Sequence, residues 1–277
     1  MRFKNRLYTL MVVGIVLIGS WFLYQKQQQY PINTITSYSQ AMDVLNSLDS
    51  NSLVIFDVDD TLIMSSDALA NKFPWWFRVL SVLKFPGLLF STHWEDAWSC
   101  MWQQALRFLI EPSIVPIIRS LQQRGIKTVA LTSMESGGYG CIPSMPHWRY
   151  EMLKGMGIEF NSKFKNAEFK SLPKYRGTYP VLFNGILCAN QQDKGVVLDA
   201  FLSHAQFKPD KIVSFDDSVD DLQAIGKVCH ARSIPCILFE YQGIQQVSTQ
   251  WDTPRALKQI ELLVKERKWM SDIQYAK

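Results

Sequence analysis

Short apolar runs alternate with amphipathic stretches along most of this chain, and the alternation predicts an α/β fold. Ser52–Phe56, Ile126–Leu131, Lys211–Phe215 and Ile234–Phe239 are apolar and rich in β-branched residues, as buried strands are. Between and beside them, Ile114–Leu121 (closed by Gly125), His147–Gly157, Lys194–Phe207 and Leu222–Ala231 carry apolar positions at helical spacing. Ser37–Leu48 predicts a short amphipathic helix through Ala41, Val44, Leu45 and Leu48. Val181–Cys188 predicts a hairpin whose Asn184-Gly185 pair forms a type I′ turn. Thr253-Pro254 predicts a helix start, with Thr253 as N-cap, and the helix runs to about Lys268. Strands separated by helices in this way make βαβ units and a parallel sheet.

Two long segments interrupt the alternation. Residues 63–111 hold Trp75, Trp76, Phe77, Phe85, Phe90, Trp94, Trp98 and Trp102. Trp94, Trp98 and Trp102 recur every fourth position and share a helix face. Aromatics so arranged form a buried seam more often than a platform for substrate. A second interruption spans about 159–192 and includes the hairpin. His93 and His147 show no ligand spacing and receive no role.

The N-terminus is different in kind. Residues 7–24 carry no charge and match the length of a bilayer-spanning helix. Arg2, Lys4 and Arg6 precede this run, and Tyr8, Trp21 and Tyr24 sit near its ends. The positive-inside rule then places the N-terminus in the cytoplasm and the remainder across the membrane. Bulky Trp21, Phe22 and Leu23 leave no small-residue cleavage site, which favours an anchor over a removed signal. The expected organisation is an anchor at 1–24, a linker and short helix at 25–45, and one folded domain over 46–277 with insertions at about 63–111 and 159–192.

The chain has 277 residues, 47% hydrophobic and 19% charged, which excludes a disordered or low-complexity protein. Three of its four net positive charges come from the N-terminal flank, so there is no basic surface for nucleic acid. The five cysteines show no CxxC or zinc spacing, and their odd count leaves at least one free thiol or none paired. Cys188, Cys229 and Cys236 read as small core residues.

The chemistry gathers at strand ends. Asp57, Asp59 and Asp60 follow the first strand, Thr132-Ser133 the second, and Asp216-Asp217, with Asp220 and Asp221 close behind, the third. In a parallel α/β sheet the carboxyl ends share one edge, where ligands bind. Carboxylates this dense repel one another unless a cation lies among them. A hard divalent cation with oxygen ligands, Mg²⁺ foremost, suits Asp57, Asp59, Asp216, Asp217 and Asp221. Asp57 is placed to attack phosphorus and Asp59 to act as general acid and then base. Thr132 and Lys194 are the expected phosphate contacts.

Asp57-Val58-Asp59-Asp60-Thr61 resembles the DxDx[TV] motif of the haloacid dehalogenase superfamily, and Thr132, Lys194 and Phe215–Asp221 resemble its other three motifs in order. The likeness covers about residues 46–241. Gly185-Ile186-Leu187, Asp193-Lys194-Gly195 and Phe215-Asp216-Asp217 further resemble a little-characterised family of exported bacterial proteins of this type. The resemblance implies a Rossmann-like core with a parallel sheet, a helical aromatic-rich cap at 63–111, Mg²⁺ dependence and hydrolysis of small phosphate monoesters. Asp-Asp at 216–217 stands where many members have Gly-Asp, which makes Asp217 the expected direct metal ligand, with Asp216 still open. With the anchor, the expected location is the bacterial inner membrane with the domain on the periplasmic side, or secretion if the segment is cleaved. A phosphotransferase, or a non-catalytic binding or host-interaction protein on the same scaffold, are the alternatives.

Overall fold

A computed structural model describes residues 30–71, 74–89, 91–160, 164–246 and 250–275. The predicted anchor at 7–24 lies outside these residues. Among the described residues no helix is long and apolar enough to cross a membrane. The chain begins with β1 (Ile32–Ile35), a 3₁₀ turn at Tyr38–Ala41, α1 (Met42–Asn46), β2 (Leu53–Phe56) and β3 (Ile63–Ser65). Then come α2 (Ala68–Asn71), α3 (Trp75–Lys84), α4 (Ser91–Gln104), β4 (Arg107–Leu109), α5 (Ile114–Gln123) and β5 (Lys127–Thr132). Next are α6 (Met145–Gly155), β6 (Ala167–Glu168), β7 (Val181–Phe183), β8 (Ile186–Cys188), α7 (Lys194–His204) and β9 (Ile212–Asp216). The order ends with α8 (Val219–Ala231), β10 (Cys236–Tyr241), α9 (Thr253–Glu266) and α10 (Asp272–Tyr275).

Eight strands form one sheet in the order β1-β10-β9-β2-β5-β8-β7-β6. Every pairing from β1 to β8 is parallel, and β7 and β6 extend one edge in antiparallel fashion. The α/β class with a mostly parallel sheet is therefore as expected. Because β9, β2 and β5 are neighbours and run the same way, Asp216, Asp57 and Thr132 emerge side by side at one edge. Register reinforces this centre. Phe56 pairs with Phe215, and Phe215 with Phe239, so their rings stack in a row at centroid distances of 5.2 and 5.0 Å, close to the spacing of adjacent strands. Tyr38 covers the row, stacks on Tyr241 at 4.6 Å, and donates its hydroxyl to the Thr61 carbonyl at 3.1 Å.

The start of the domain corrects the expected linker at 25–45. Ile32–Ile35 is an edge strand, paired parallel with β10. Exposed Asn33 and Thr34 disguise it, because an edge strand needs few apolar side chains and its main chain makes the bonds. The predicted Ser37–Leu48 helix is broken into the 3₁₀ turn and α1. Glu111 receives the Tyr38 amide and the Ser37 hydroxyl, tying this segment to the end of the 63–111 insertion.

The 159–192 segment is not a separate insertion. Its Asn184-Gly185 turn has φ of 48° and 81°, the I′ geometry, and the hairpin it makes is part of the main sheet, with β8 fully buried beside β5. The N-cap of α9 is Asp252 rather than Thr253: its carboxylate accepts from the Arg255 amide at 2.6 Å.

Residues 63–111 form the antiparallel pair β3–β4 with α2, α3 and α4 between. They have their own core of Leu69, Phe77, Leu88, Ala97 and Met101, and α9 completes it with Ala256, Ile260 and Leu263. Trp94 and Trp98 meet edge to face at 5.4 Å and pack against this core. Trp102 packs against the same core and also stacks on Tyr139 at 4.9 Å. All five cysteines are thiols. Cys188 and Cys229 are buried as expected, and the Cys100 and Cys141 sulfurs lie 3.4 Å apart.

Candidate active site

The ladder of β2 continues one residue past the strand, where the Asp57 amide donates to the Phe215 carbonyl at 2.8 Å. The chain then turns tightly. The Val58 carbonyl accepts from Leu62 and Ile63, and Asp60 takes a left-handed φ of 64°, a conformation acidic side chains tolerate better than most. Val58 is buried by this turn, whereas Asp59 is exposed beside the buried Asp57.

Lys194, first residue of α7, is 3% exposed and is the electrostatic centre of the site. Its ammonium lies 2.7 Å from Asp57 Oδ1, 2.7 Å from Asp216 Oδ2 and 2.9 Å from Asp221 Oδ2. Gly195 permits the placement, since a Cβ there would stand 2.4 Å from the Ala224 carbonyl of α8. Asp216 also accepts from the Ser218 amide at 3.0 Å. Asp217 is exposed and receives the Thr61 hydroxyl at 3.5 Å.

Carboxylate oxygens of Asp57, Asp216 and Asp217 lie within 4.8 Å of one another. One lysine against this many acids leaves surplus negative charge. Burial pushes the Asp57 carboxyl up to about 6 and the Asp216 carboxyl up to about 8, with the Asp57–Asp216 repulsion adding to the latter and Lys194 opposing both. Burial also raises Asp217. Lys194 is lowered by burial but raised overall by Asp57, Asp216 and Asp221. An all-oxygen, over-acidic donor set of this size fits a hard divalent cation, with Asp57, Asp216 and Asp217 as the residues that would hold it. Asp221 and Asp59, also expected around the metal, are not among the three acids whose oxygens lie within 4.8 Å of one another; Asp221 meets Lys194, as Asp57 and Asp216 do, and Asp59 meets an arginine.

That arginine is Arg149, which no motif singles out. Its guanidinium meets both Asp59 oxygens, at 2.9 and 2.8 Å. Arg149 lies on the buried face of α6, one turn from Met145 and one from Leu153, and a charge in such an apolar stripe was its only visible signal. Arg107 at the start of β4 was missed as well. The Trp148 ring meets both guanidinium groups, at 5.4 Å from that of Arg107 and 5.2 Å from that of Arg149.

Thr132 ends β5, buried, and its hydroxyl oxygen accepts from the Met134 amide at 3.3 Å. The loop behind it is pinned by Asn190 and Gln191, whose amides donate to the Met134 and Ser133 carbonyls. These groups and those of the 63–111 insertion enclose a cleft of about 410 Å³, with Asp57, Asp59, Thr132 and Lys194 on one wall and Trp102 and Arg107 among the others. All the expected site residues thus gather at one sheet edge. His147 is not in the cleft; it lies against Phe183. The side chain of His93 lies outside the described residues.

A family model described as "Protein of unknown function (DUF2608)" matches residues 34–275. The chain belongs to this family. Similar proteins include one from Chlamydia trachomatis serovar D named "Putative outer membrane protein", 25% identical over 86% of this chain and 85% of its own length. A protein of the same name from Chlamydia muridarum is 24% identical over 89% and 87%. An uncharacterized protein of Rickettsia prowazekii is 22% identical over 90% and 89%. The match to the family begins within β1 and covers the 63–111 insertion and α9 as well as the strand ends that carry the acids.

Proposed function

We propose that this protein is a Mg²⁺-dependent phosphatase that hydrolyses small phosphate monoesters through an aspartyl-phosphate, on a Rossmann-like scaffold of the haloacid dehalogenase type. The observation that carries the reading is the meeting of Asp57, Asp216 and Asp217 oxygens within 4.8 Å at the end of a parallel sheet, beside a buried lysine. Mg²⁺, when bound by these three, supplies positive charge that lets an anionic nucleophile approach an anionic ester.

Asp57 attacks phosphorus and the ester oxygen leaves, taking a proton from Asp59. Asp59 then takes a proton from water, whose oxygen attacks phosphorus and releases Asp57 and inorganic phosphate. Both Asp59 oxygens accept from Arg149, so one of these bonds must open before Asp59 serves the leaving group. Thr132 has its hydroxyl proton free for a phosphoryl oxygen, because the hydroxyl oxygen is the acceptor in its bond to Met134. Lys194 holds Asp57 in place and offsets charge on the phosphoryl group.

The apolar 7–24 segment with its basic flank, together with relatives named as outer membrane proteins, supports work outside the cytoplasm, tethered to the envelope. The direct test is hydrolysis of 4-nitrophenyl phosphate by the full chain in detergent, with Mg²⁺ and with EDTA. Activity is expected with Mg²⁺ alone, and Asp57→Asn is expected to remove it while leaving the melting temperature in place. Undiminished hydrolysis by Asp57→Asn sinks the proposal.

A further inference from the structure

The two arginines of the cleft differ in what they have to neutralise. Arg149 spends two N–H groups on Asp59. Arg107 makes one hydrogen bond, to the Trp102 carbonyl at 2.6 Å, and stacks on Trp148, with no carboxylate against it among the described residues. It is half-buried and lines the cleft from β4. Burial first, and the nearby Arg149 second, bring its pKa down to about 10. A guanidinium held there without a counter-ion is unfavourable unless an anion arrives. Among the described residues no acid takes that role: Asp59, whose charge acts on it, is already bonded twice to Arg149.

We infer that Arg107 is a second anion subsite, so that the substrate is a phosphate monoester carrying another acidic group, a carboxylate or a further phosphate. The inference rests on the phosphatase reading for the position of the scissile ester. Asp57 and Lys194 fix where that phosphate sits, and Arg107 faces the same cleft from β4. The cleft, at about 410 Å³, suits a compact molecule that spans the two points. The Trp148 ring holds the Arg107 guanidinium by a contact at 5.4 Å that uses none of its N–H groups, and those not bonded to Trp102 are left for a bidentate partner.

A matched pair of esters tests this. 3-Phosphoglycerate and glycerol 3-phosphate differ only in a carboxylate against a hydroxymethyl group. With the full chain and Mg²⁺, kcat/KM for the first is expected to exceed the second by about ten- to a hundredfold, the range of a charge-assisted hydrogen bond. Propanediol bisphosphate against propanediol monophosphate asks the same of a second phosphate, and the larger of the two preferences names the group. Arg107→Gln is expected to bring both ratios near one, and Arg107→Lys to restore part of them, which a purely structural arginine would not do. A ratio near one in the parent protein, or a ratio that Arg107→Gln leaves intact, overturns the subsite while the phosphatase reading stands. If no ester is hydrolysed, that reading falls, and calorimetric titration of the same pairs onto Asp57→Asn decides the subsite: tighter binding of the doubly acidic member, lost with Arg107→Gln, upholds it, and equal binding ends it.

Discussion

The guanidinium of Arg149 closes on both carboxylate oxygens of Asp59, at 2.9 and 2.8 Å, although one partner is buried and the other half exposed. This asymmetry decides what happens when the pair is broken. With Arg149 removed, Asp59 turns to water rather than being left as a buried charge, and the new apolar side chain joins Met145 and Leu153. Arg149→Met is therefore expected to change stability by no more than about 1 kcal/mol, because an apolar side chain of similar size replaces the buried charge while half-exposed Asp59 is hydrated. Asp59→Asn is expected to lower kcat by about 10²- to 10⁴-fold, the range for a lost general acid–base. Urea titration and steady-state kinetics on the two variants check both. An Asp59→Asn protein as fast as its parent removes Asp59 from the chemistry.

Stability should depend on pH through the acids around Lys194. In protein stripped with EDTA, Asp57 and Asp216 are raised, chiefly by burial, from the ordinary 3.8 to about 6 and about 8. A carboxyl group with a higher pKa in the fold holds its proton more tightly there than in the unfolded chain. Its contribution is complete below about pH 4 and is lost as pH rises through the folded value. The stripped protein should thus lose stability between about pH 4 and pH 8. Mg²⁺ binds the deprotonated acids, so the rise in melting temperature it causes should grow over the same interval. Melting curves with Mg²⁺ and with EDTA measure this, and a metal-induced rise equal at pH 5 and pH 8 contradicts it.

What the sequence disclosed follows from how local each cause is. Asp57 to Asp60, Thr132, Lys194 and Asp216 to Asp221 are legible because parallel strands put their carboxyl ends on one edge, and the hairpin because Asn184-Gly185 fits one turn type. Residues 32–35 are not legible as a strand, since an edge strand is made by main-chain pairing to β10, some two hundred positions away. Arg149 and Arg107 are hidden for a related reason. An arginine in a helix or at a strand end looks solvated until the tertiary fold brings Asp59 or Trp148 against it. Trp94, Trp98 and Trp102 all pack against the core shared with α9, and Trp102, at the far end of α4, also lines the cleft.

Gly195 links packing to chemistry. A Cβ at this position would come 2.4 Å from the Ala224 carbonyl, a backbone atom of α8 that has little room to yield. Gly195→Ala must separate α7 from α8, and the residue beside it is Lys194, whose ammonium is positioned to within hydrogen-bond distance of three acids. The expected result is a loss of about 1–3 kcal/mol on overpacking, together with a fall in kcat larger than any rise in KM. A variant with parental stability and turnover shows that α7 is free to shift, and the argument from close approach fails.

Helix α9, which follows the last strand of the sheet, belongs by its packing to the insertion. Ile260 of α9 is fully buried in the core it shares with Phe77, Ala97 and Met101, yet α9 follows β10, far along the chain from them. Ile260→Ala is expected to cost about 2–5 kcal/mol, the lost burial plus the cavity left behind. The loss should fall unevenly. The row of Phe56, Phe215 and Phe239 has its own packing under Tyr38 and does not touch this second core. Hydrogen exchange on Ile260→Ala should therefore rise in α3, α4 and α9 before it rises in β2, β5 and β9. Trp102 and Arg107 continue from that insertion into the cleft, so KM for the preferred ester should rise at temperatures where the sheet is still protected. Uniform loss of protection across both regions contradicts a separately opening cap and makes the two cores one cooperative unit.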